Sequence, residues 1–141
     1  MRTRSTRHPA VGVIAVAALA ACAPPPPTVR ISEPADGATV SGPAVHVVLN
    51  VSGVELAPVA DQRPGTAHHH LLFDVDPPPA GEAISVGAAG IVHLGKAQTE
   101  FTIDTVAPGR HRIIAVLADP LHVPLPNAVR DTVFFTVGAA P

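Results

Sequence analysis

The sequence predicts an all-β domain, an antiparallel immunoglobulin-like β-sandwich of about seven strands. Short alternating apolar segments recur at intervals of roughly eight to twelve residues, the spacing of strands joined by turns. Seventeen Pro and eleven Gly interrupt the 141-residue chain too often for long helices. With four Phe and no Trp or Tyr, the interior must be Val, Ile, Leu and Ala, which suits a pleated sheet of modest side-chain volume. The length suffices for one domain. The Cys-Trp-Cys core of antibody domains is absent, so the prediction concerns architecture alone.

The first strand is Val29-Arg30-Ile31, stopped at Ser32-Glu33-Pro34. Asp36-Gly37 makes a turn, and Thr39-Val40-Ser41 forms a brief edge piece. From Ala44 to Val51 a firm strand turns Val45, Val47, Leu49 and Val51 one way and His46, Val48 and Asn50 the other. Residues 52–66 form a loop with some extended structure around Val54-Leu56. A strand from Ala67 to Val75 ends at Pro77-Pro78-Pro79. After a Gly-rich loop, Ile91-Val92-His93-Leu94 makes a short strand, and Thr99 to Thr105 alternates with Phe101 and Ile103 inward. Ala107-Pro108-Gly109-Arg110 is a hairpin-type turn. Arg110 to Ala118 is apolar on both faces and therefore central. Asp119 to Asn127 is a Pro-interrupted loop, and Ala128 to Val137 closes the domain with Val129, Val133, Phe135 and Val137 aligned.

Ahead of this unit lies a leader. Met1 to His8 is basic, Pro9 to Ala21 is apolar, and Leu19-Ala20-Ala21-Cys22 ends the run. The order matches an export signal and the apolar run is short for a membrane span. Leu19-Ala20-Ala21-Cys22 resembles the lipobox of bacterial lipoproteins, which implies cleavage before Cys22 and lipidation of its thiol. Residues 1–21 are then a signal peptide, residues 22–27 a lipidated Cys with a stiff Pro-rich tether, and residues 28–141 the β-sandwich. Several acyl chains anchor durably where one is marginal. The expected location is the bacterial cell envelope, facing the periplasm or the exterior, with the membrane as a partner through Cys22. The expected partners also include a metal ion and an envelope protein.

Beyond Ala21 the chain keeps six Lys/Arg against eleven Asp/Glu, a net charge of −5 with His neutral. A mildly acidic domain without a basic stripe argues against nucleic acid as a partner. No Gly-x-Ser-x-Gly elbow, phosphate-binding loop or paired-carboxylate motif is present, and the expectation is that the chain is not an enzyme.

The chemistry is concentrated in Gly65-Thr66-Ala67-His68-His69-His70-Leu71-Leu72-Phe73-Asp74-Val75. Alternation along a strand splits the triplet. His69 goes with Leu71, Phe73 and Val75 toward the core, held by a hydrogen bond at its edge. His68 and His70 go with Leu72, Asp74 and Asp76 toward solvent or a loop-lined groove. Two imidazoles two residues apart can offer nitrogens to one metal, and others must complete the set. His93, His111 and His122 are the candidates, with His122 on a loop stiffened by Pro120 and Pro124; His111, facing with Ile113, can also meet His69 inside.

Gly65-Thr66-Ala67-His68-His69-His70-Leu71-Leu72, His93-Leu94-Gly95-Lys96-Ala97-Gln98-Thr99-Glu100, Pro108-Gly109-Arg110-His111 and Asp119-Pro120-Leu121-His122-Val123-Pro124 follow in order. Together they resemble an exported bacterial family known as domain of unknown function 4399, over roughly Val54 to Val137. The resemblance implies a compact β domain carrying these histidines, without an assigned activity. One departure is Ala97, where the resemblance leads one to expect Gly.

The sharpest reading is a non-catalytic site at the surface for Cu(II) or Zn(II), built from His68, His70, His93 and His122, with His111 and Asp74 as further candidates. With Cys22 committed to lipid and Met1 in the leader, soft Cu(I) is disfavoured. The alternative is a structural or protein-interaction module of the envelope whose histidines only stabilise loops. A third reading is a pH response, since seven His beyond the leader would carry the charge from −5 to +2 on protonation.

Overall fold

The computed structural model describes residues 23–139; the expected signal peptide, the lipobox-like stretch and Cys22 lie outside the described residues. Nine strands form: β1 Thr28–Glu33, β2 Thr39–Val40, β3 Val45–Ser52, β4 Glu55–Leu56, β5 Thr66–Phe73, β6 Ile91–Leu94, β7 Glu100–Ile103, β8 Gly109–Ala118 and β9 Asp131–Val137. One 3-10 turn covers Val59–Asp61, and there is no α-helix among the described residues. The count exceeds the expected seven because β2 and β4 are two-residue pieces, each pairing parallel to a longer strand, β2 on β9 and β4 on β5.

Two sheets make an antiparallel immunoglobulin-like sandwich. The smaller has the order β1-β3-β7; the larger runs β2-β9-β8-β5-β4, with β6 also paired to β5. The shared core is aliphatic. Val29, Val45, Val47 and Leu49 from the small sheet meet Ala67, Leu71, Ile113, Ala115, Leu117, Val133, Phe135 and Val137 from the large one. Among the described residues, Phe135 is the only fully buried aromatic ring apart from histidines. Alternating strands of Val and Ile suit this because β-branched side chains pack on a pleated surface.

β8 is central, paired with β5 on one side and β9 on the other. Its odd positions Ile113, Ala115 and Leu117 enter the core, and its even positions Ile114, Val116 and Ala118 join a second apolar cluster with Leu72 and Ile84 on the opposite face. That second cluster roofs the outer face of the large sheet with the loop that follows β5. It explains why every residue from Thr66 to Leu72 is buried.

The register sets Phe101 opposite Val47 and Ile103 opposite Val45, on the inward face, but Phe101 lies on β7, the edge of the small sheet, and stays 36% exposed while Ile103 packs against the core. One aligned position is corrected. Val129 precedes β9, where it makes a parallel bridge to Thr28, and is 40% exposed instead of aligned with Val133, Phe135 and Val137. Pro26 and Pro27 lie against the domain: the Pro27 carbonyl accepts from Val129 N at 2.8 Å, and a Cβ on Gly53 would stand 3.1 Å from Pro27 Cα.

Candidate metal centre

β5 begins after Gly65 and runs between β8 and β6, so its side chains leave the sheet at right angles into two different environments. His69 follows Ala67 and Leu71 into the sandwich core. Its Nδ1 meets the Gln98 carbonyl at 2.9 Å, as expected, and its Nε2 is buried without a partner among the described residues. His68 and His70 leave by the other face, as pleat parity requires. They do not reach the surface: His68 is 1% and His70 0% exposed. The reason is the loop roof, which covers the outer face that a bare sheet would have offered to water.

Two more histidines arrive under that roof. His93 stands on β6 directly opposite His70 in the β5–β6 register. The ring folds over Gly95, where an added Cβ would lie only 2.4 Å from Cε1 and 2.6 Å from Nε2 of His93. No side chain fits there, so Gly95 is what lets His93 turn into the cluster. His122 comes from the loop after β8 and takes the left-handed backbone conformation, with φ of 66°, an unusual state for a residue with a Cβ. Asp119 holds it there. Its Oδ1 accepts from Leu121 N at 2.8 Å and from Val123 N at 3.0 Å, and its carbonyl accepts from His122 N at 2.9 Å. The His122 carbonyl in turn accepts from Ile84 N at 2.9 Å, tying this loop to the roof.

The four imidazoles converge. Each of His68, His70, His93 and His122 offers a nitrogen, and these four atoms all lie within 4.8 Å of one another. Ring centres are separated by 4.9 Å for His68–His70, 5.0 Å for His68–His93, 5.1 Å for His68–His122, 5.0 Å for His70–His93, 5.5 Å for His70–His122 and 4.9 Å for His93–His122. Nε2 of His68 and Nε2 of His70 meet at 3.0 Å, one ring donating and the other accepting. His70 Nδ1, His93 Nε2 and His122 Nε2 are buried with no hydrogen-bond partner among the described residues.

Burial pushes His68 down to about 4 and His70 to about 3, and the neighbouring imidazoles add to the effect in both; Asp119 partly opposes it at His68. Burial, then His122, lowers His93 as well. Neutral rings present lone pairs, the form a metal requires.

The remaining candidates sit elsewhere. His111 does not meet His69, and Asp74 does not join the cluster; they pair with each other. His111 Nδ1 lies 2.7 Å from Asp74 Oδ2, and its Nε2 lies 2.8 Å from the Ala107 carbonyl. The ring stacks on Phe73 with centres 5.0 Å apart. Asp74, in the left-handed region at φ 57°, turns back from the end of β5 so that its other oxygen accepts from Arg112 N at 2.8 Å. That reversal removes it from the His68 face on which strict alternation would have placed it. Burial depresses His111, but the Asp74 and Ala107 hydrogen bonds and the Asp74 charge outweigh it and leave it raised. Asp76 is likewise engaged, with Arg112 at 2.8 Å.

Sequence reasoning passed over Gly95 and Asp119. Both had a signal: a glycine two residues after a candidate ligand marks a close approach, and Asp-Pro before His122 is an Asx-type turn former.

A family model described as domain of unknown function DUF4399 matches residues 47–138, and the chain belongs to that family. The Ala97 departure has a visible counterpart: Ala97 holds φ at 60°, in the region that favours glycine. No curated protein matches the sequence. Among solved structures, the crystal structure of an engineered protein is 15% identical, with a TM-score of 0.49. The match covers 83% of this chain and 21% of that one, so the chain spans about a fifth of its length.

Proposed function

We propose that this member of the DUF4399 family is a lipid-anchored protein of the bacterial cell envelope whose β-sandwich binds a divalent transition-metal ion through His68, His70, His93 and His122, without catalysis. One observation carries the metal reading. Four imidazoles from three separate segments, β5, β6 and the loop after β8, bring their nitrogens within 4.8 Å of one another, His68 and His70 buried and His93 and His122 partly so. Imidazole donors suit Zn(II) and Cu(II), and the chain beyond Cys22 has neither Cys nor Met for soft Cu(I). Three orphaned ring nitrogens support the same reading, since a buried polar atom without a partner costs on the order of 1–3 kcal/mol and a metal would use its lone pair. The Leu19-Ala20-Ala21-Cys22 stretch and the Pro-rich segment support the envelope anchor.

The second reading, a module whose histidines only pin loops, draws on the His68–His70 contact and on the Ile84–His122 backbone bond, which serve the fold without a metal. Calorimetric titration of tag-free protein with Zn(II) and Cu(II) separates the two. Metal binding predicts tight one-to-one uptake that His68→Ala/His70→Ala abolishes. Weak uptake that the double variant leaves unchanged supports the loop-pinning reading. Labelling cells with a radioactive fatty acid tests the anchor: label should enter the protein and vanish in Cys22→Ser.

A further inference from the structure

We infer that the four-histidine centre is built for a tetrahedral ion, Zn(II), and fills all four of its coordination positions with protein nitrogen, leaving none for water or substrate. This rests on the metal-binding reading and adds the geometry, and with it the ion and the closed character of the site.

The six ring-to-ring distances carry it. A metal at ~2.0–2.1 Å from an imidazole nitrogen stands about 3.2 Å from the ring centre, so four rings placed tetrahedrally lie roughly 5.2 Å apart in every pair. A square-planar set divides them into four pairs near roughly 4.5 Å and two near roughly 6.4 Å. Here all six fall between 4.9 and 5.5 Å, and no two pairs stand off from the rest. The rings already occupy the corners of a near-regular tetrahedron, and small ring rotations bring the nitrogens inward. Tetragonal Cu(II) and Ni(II) would need two opposite pairs of rings pushed apart to roughly 6.4 Å. The backbone resists that: His68 and His70 are fixed by the β5 pleat, His93 by β6 and the tight space over Gly95, and His122 by the Asp119 clamp.

The donor set points the same way. No carboxylate belongs to the group of four, which disfavours the oxygen-seeking, six-coordinate ions Mg²⁺, Ca²⁺ and Mn²⁺. His68 and His70 are shut off from solvent, and His93 and His122 are partly buried. Four protein ligands are the mark of structural zinc sites, whereas catalytic zinc keeps an open position for water.

Cobalt substitution and X-ray absorption of the tag-free protein test this. Co(II) should give the intense visible bands of a tetrahedral ion, and the zinc edge should show four light atoms at ~2.0 Å with the outer-shell scattering of four imidazoles, which three histidines and a water would not give. His122→Ala should weaken zinc binding on the order of tenfold or more, and its Co(II) bands should shift in position and become pH-dependent as a water enters the opened position. Uptake with the weak bands of a five- or six-coordinate ion in the wild type, a zinc shell of five or more atoms, or outer-shell scattering of only three imidazoles would overturn the closed tetrahedral site and leave metal binding standing. Absence of any Co(II) or Zn(II) uptake would overturn both. The wild-type spectra need no variant to fold, so either result is decisive.

Discussion

Two histidine settings on one sheet have opposite chemistry. His111 and the cluster around His68 are both largely removed from water, and both draw histidines from strands of the larger sheet. His111 finds an acceptor at each nitrogen, Asp74 on one side and the Ala107 carbonyl on the other. Two pure acceptors are both satisfied only by a doubly protonated ring. The cluster offers the reverse: four rings face one another, no carboxylate is in the group, and three nitrogens lack partners. Burial and spacing do not separate a ligand histidine from a structural one. On the proposed metal reading the inventory of partners does, because two acceptors keep both ring nitrogens of His111 protonated, whereas a ring without acceptors keeps a lone pair free for a metal.

The largest effect expected from this contrast is on metal uptake. His68→Ala/His70→Ala should reduce zinc affinity by at least about a hundredfold, while His111→Ala should leave it within a factor of about two. Calorimetry on the two variants checks this; loss of binding in His111→Ala would erase the distinction. Gly95→Ala comes next. Its backbone is not in the left-handed region, so the cost falls on the His93 ring, and zinc affinity should drop about tenfold while the apo fold survives. Zinc at a hundred times its dissociation constant should stabilise the protein by about 2.7 kcal/mol, a rise in Tm of roughly ten degrees. The rise should persist in His111→Ala and vanish in the double variant.

Stability against pH should divide the two settings by sign. His68 and His70 have folded pKa values of about 4 and about 3, below the ordinary 6.5. The unfolded chain therefore takes up more protons as pH falls below 6.5, and the metal-free protein should lose a few kcal/mol between there and pH 3–4. Burial lowers His69 too, the Gln98 carbonyl only partly opposing it, so His69→Gln should flatten part of that same acid limb. His111 is raised, so its contribution is complete below its unfolded pKa and is lost as pH climbs through the folded one. With Asp74 43% exposed, that contribution is about 1 kcal/mol after screening. Denaturant titrations across pH 3–9 on wild type, His68→Gln/His70→Gln and His111→Gln check both signs. The smallest effect belongs to Ala97→Gly, which relieves a left-handed alanine and should stabilise by roughly 0.5–1 kcal/mol without touching zinc affinity.

Much of this was legible in the residues. Alternation placed β3, β5, β8 and β9 and sorted His69 from His68 and His70, because side-chain direction along a strand is a property of local backbone geometry. The ordered motifs identified the family. His93 and His122 do meet His68 and His70, yet nothing local distinguished them from His111: that needed the cross-strand register that sets His93 against His70, and the loop path fixed by Asp119. The depth of the site was also beyond the sequence. A strand pattern shows which face a residue takes and not what covers that face, and here Ile84 and its loop turned an expected surface into an interior. Asp74 escaped for a similar reason, since its left-handed turn at the end of β5 breaks the alternation on which its placement rested.

Nitrogen NMR of ¹⁵N-histidine-labelled, tag-free protein during addition of one equivalent of zinc is the most direct test of a four-imidazole centre. Four side chains, His68, His70, His93 and His122, should each show one ring nitrogen moving to a metal-bound position, with His46, His69 and His111 unchanged in ligation. A spectrum in which none of the four moves, or in which His111 binds in place of one of them, would contradict it.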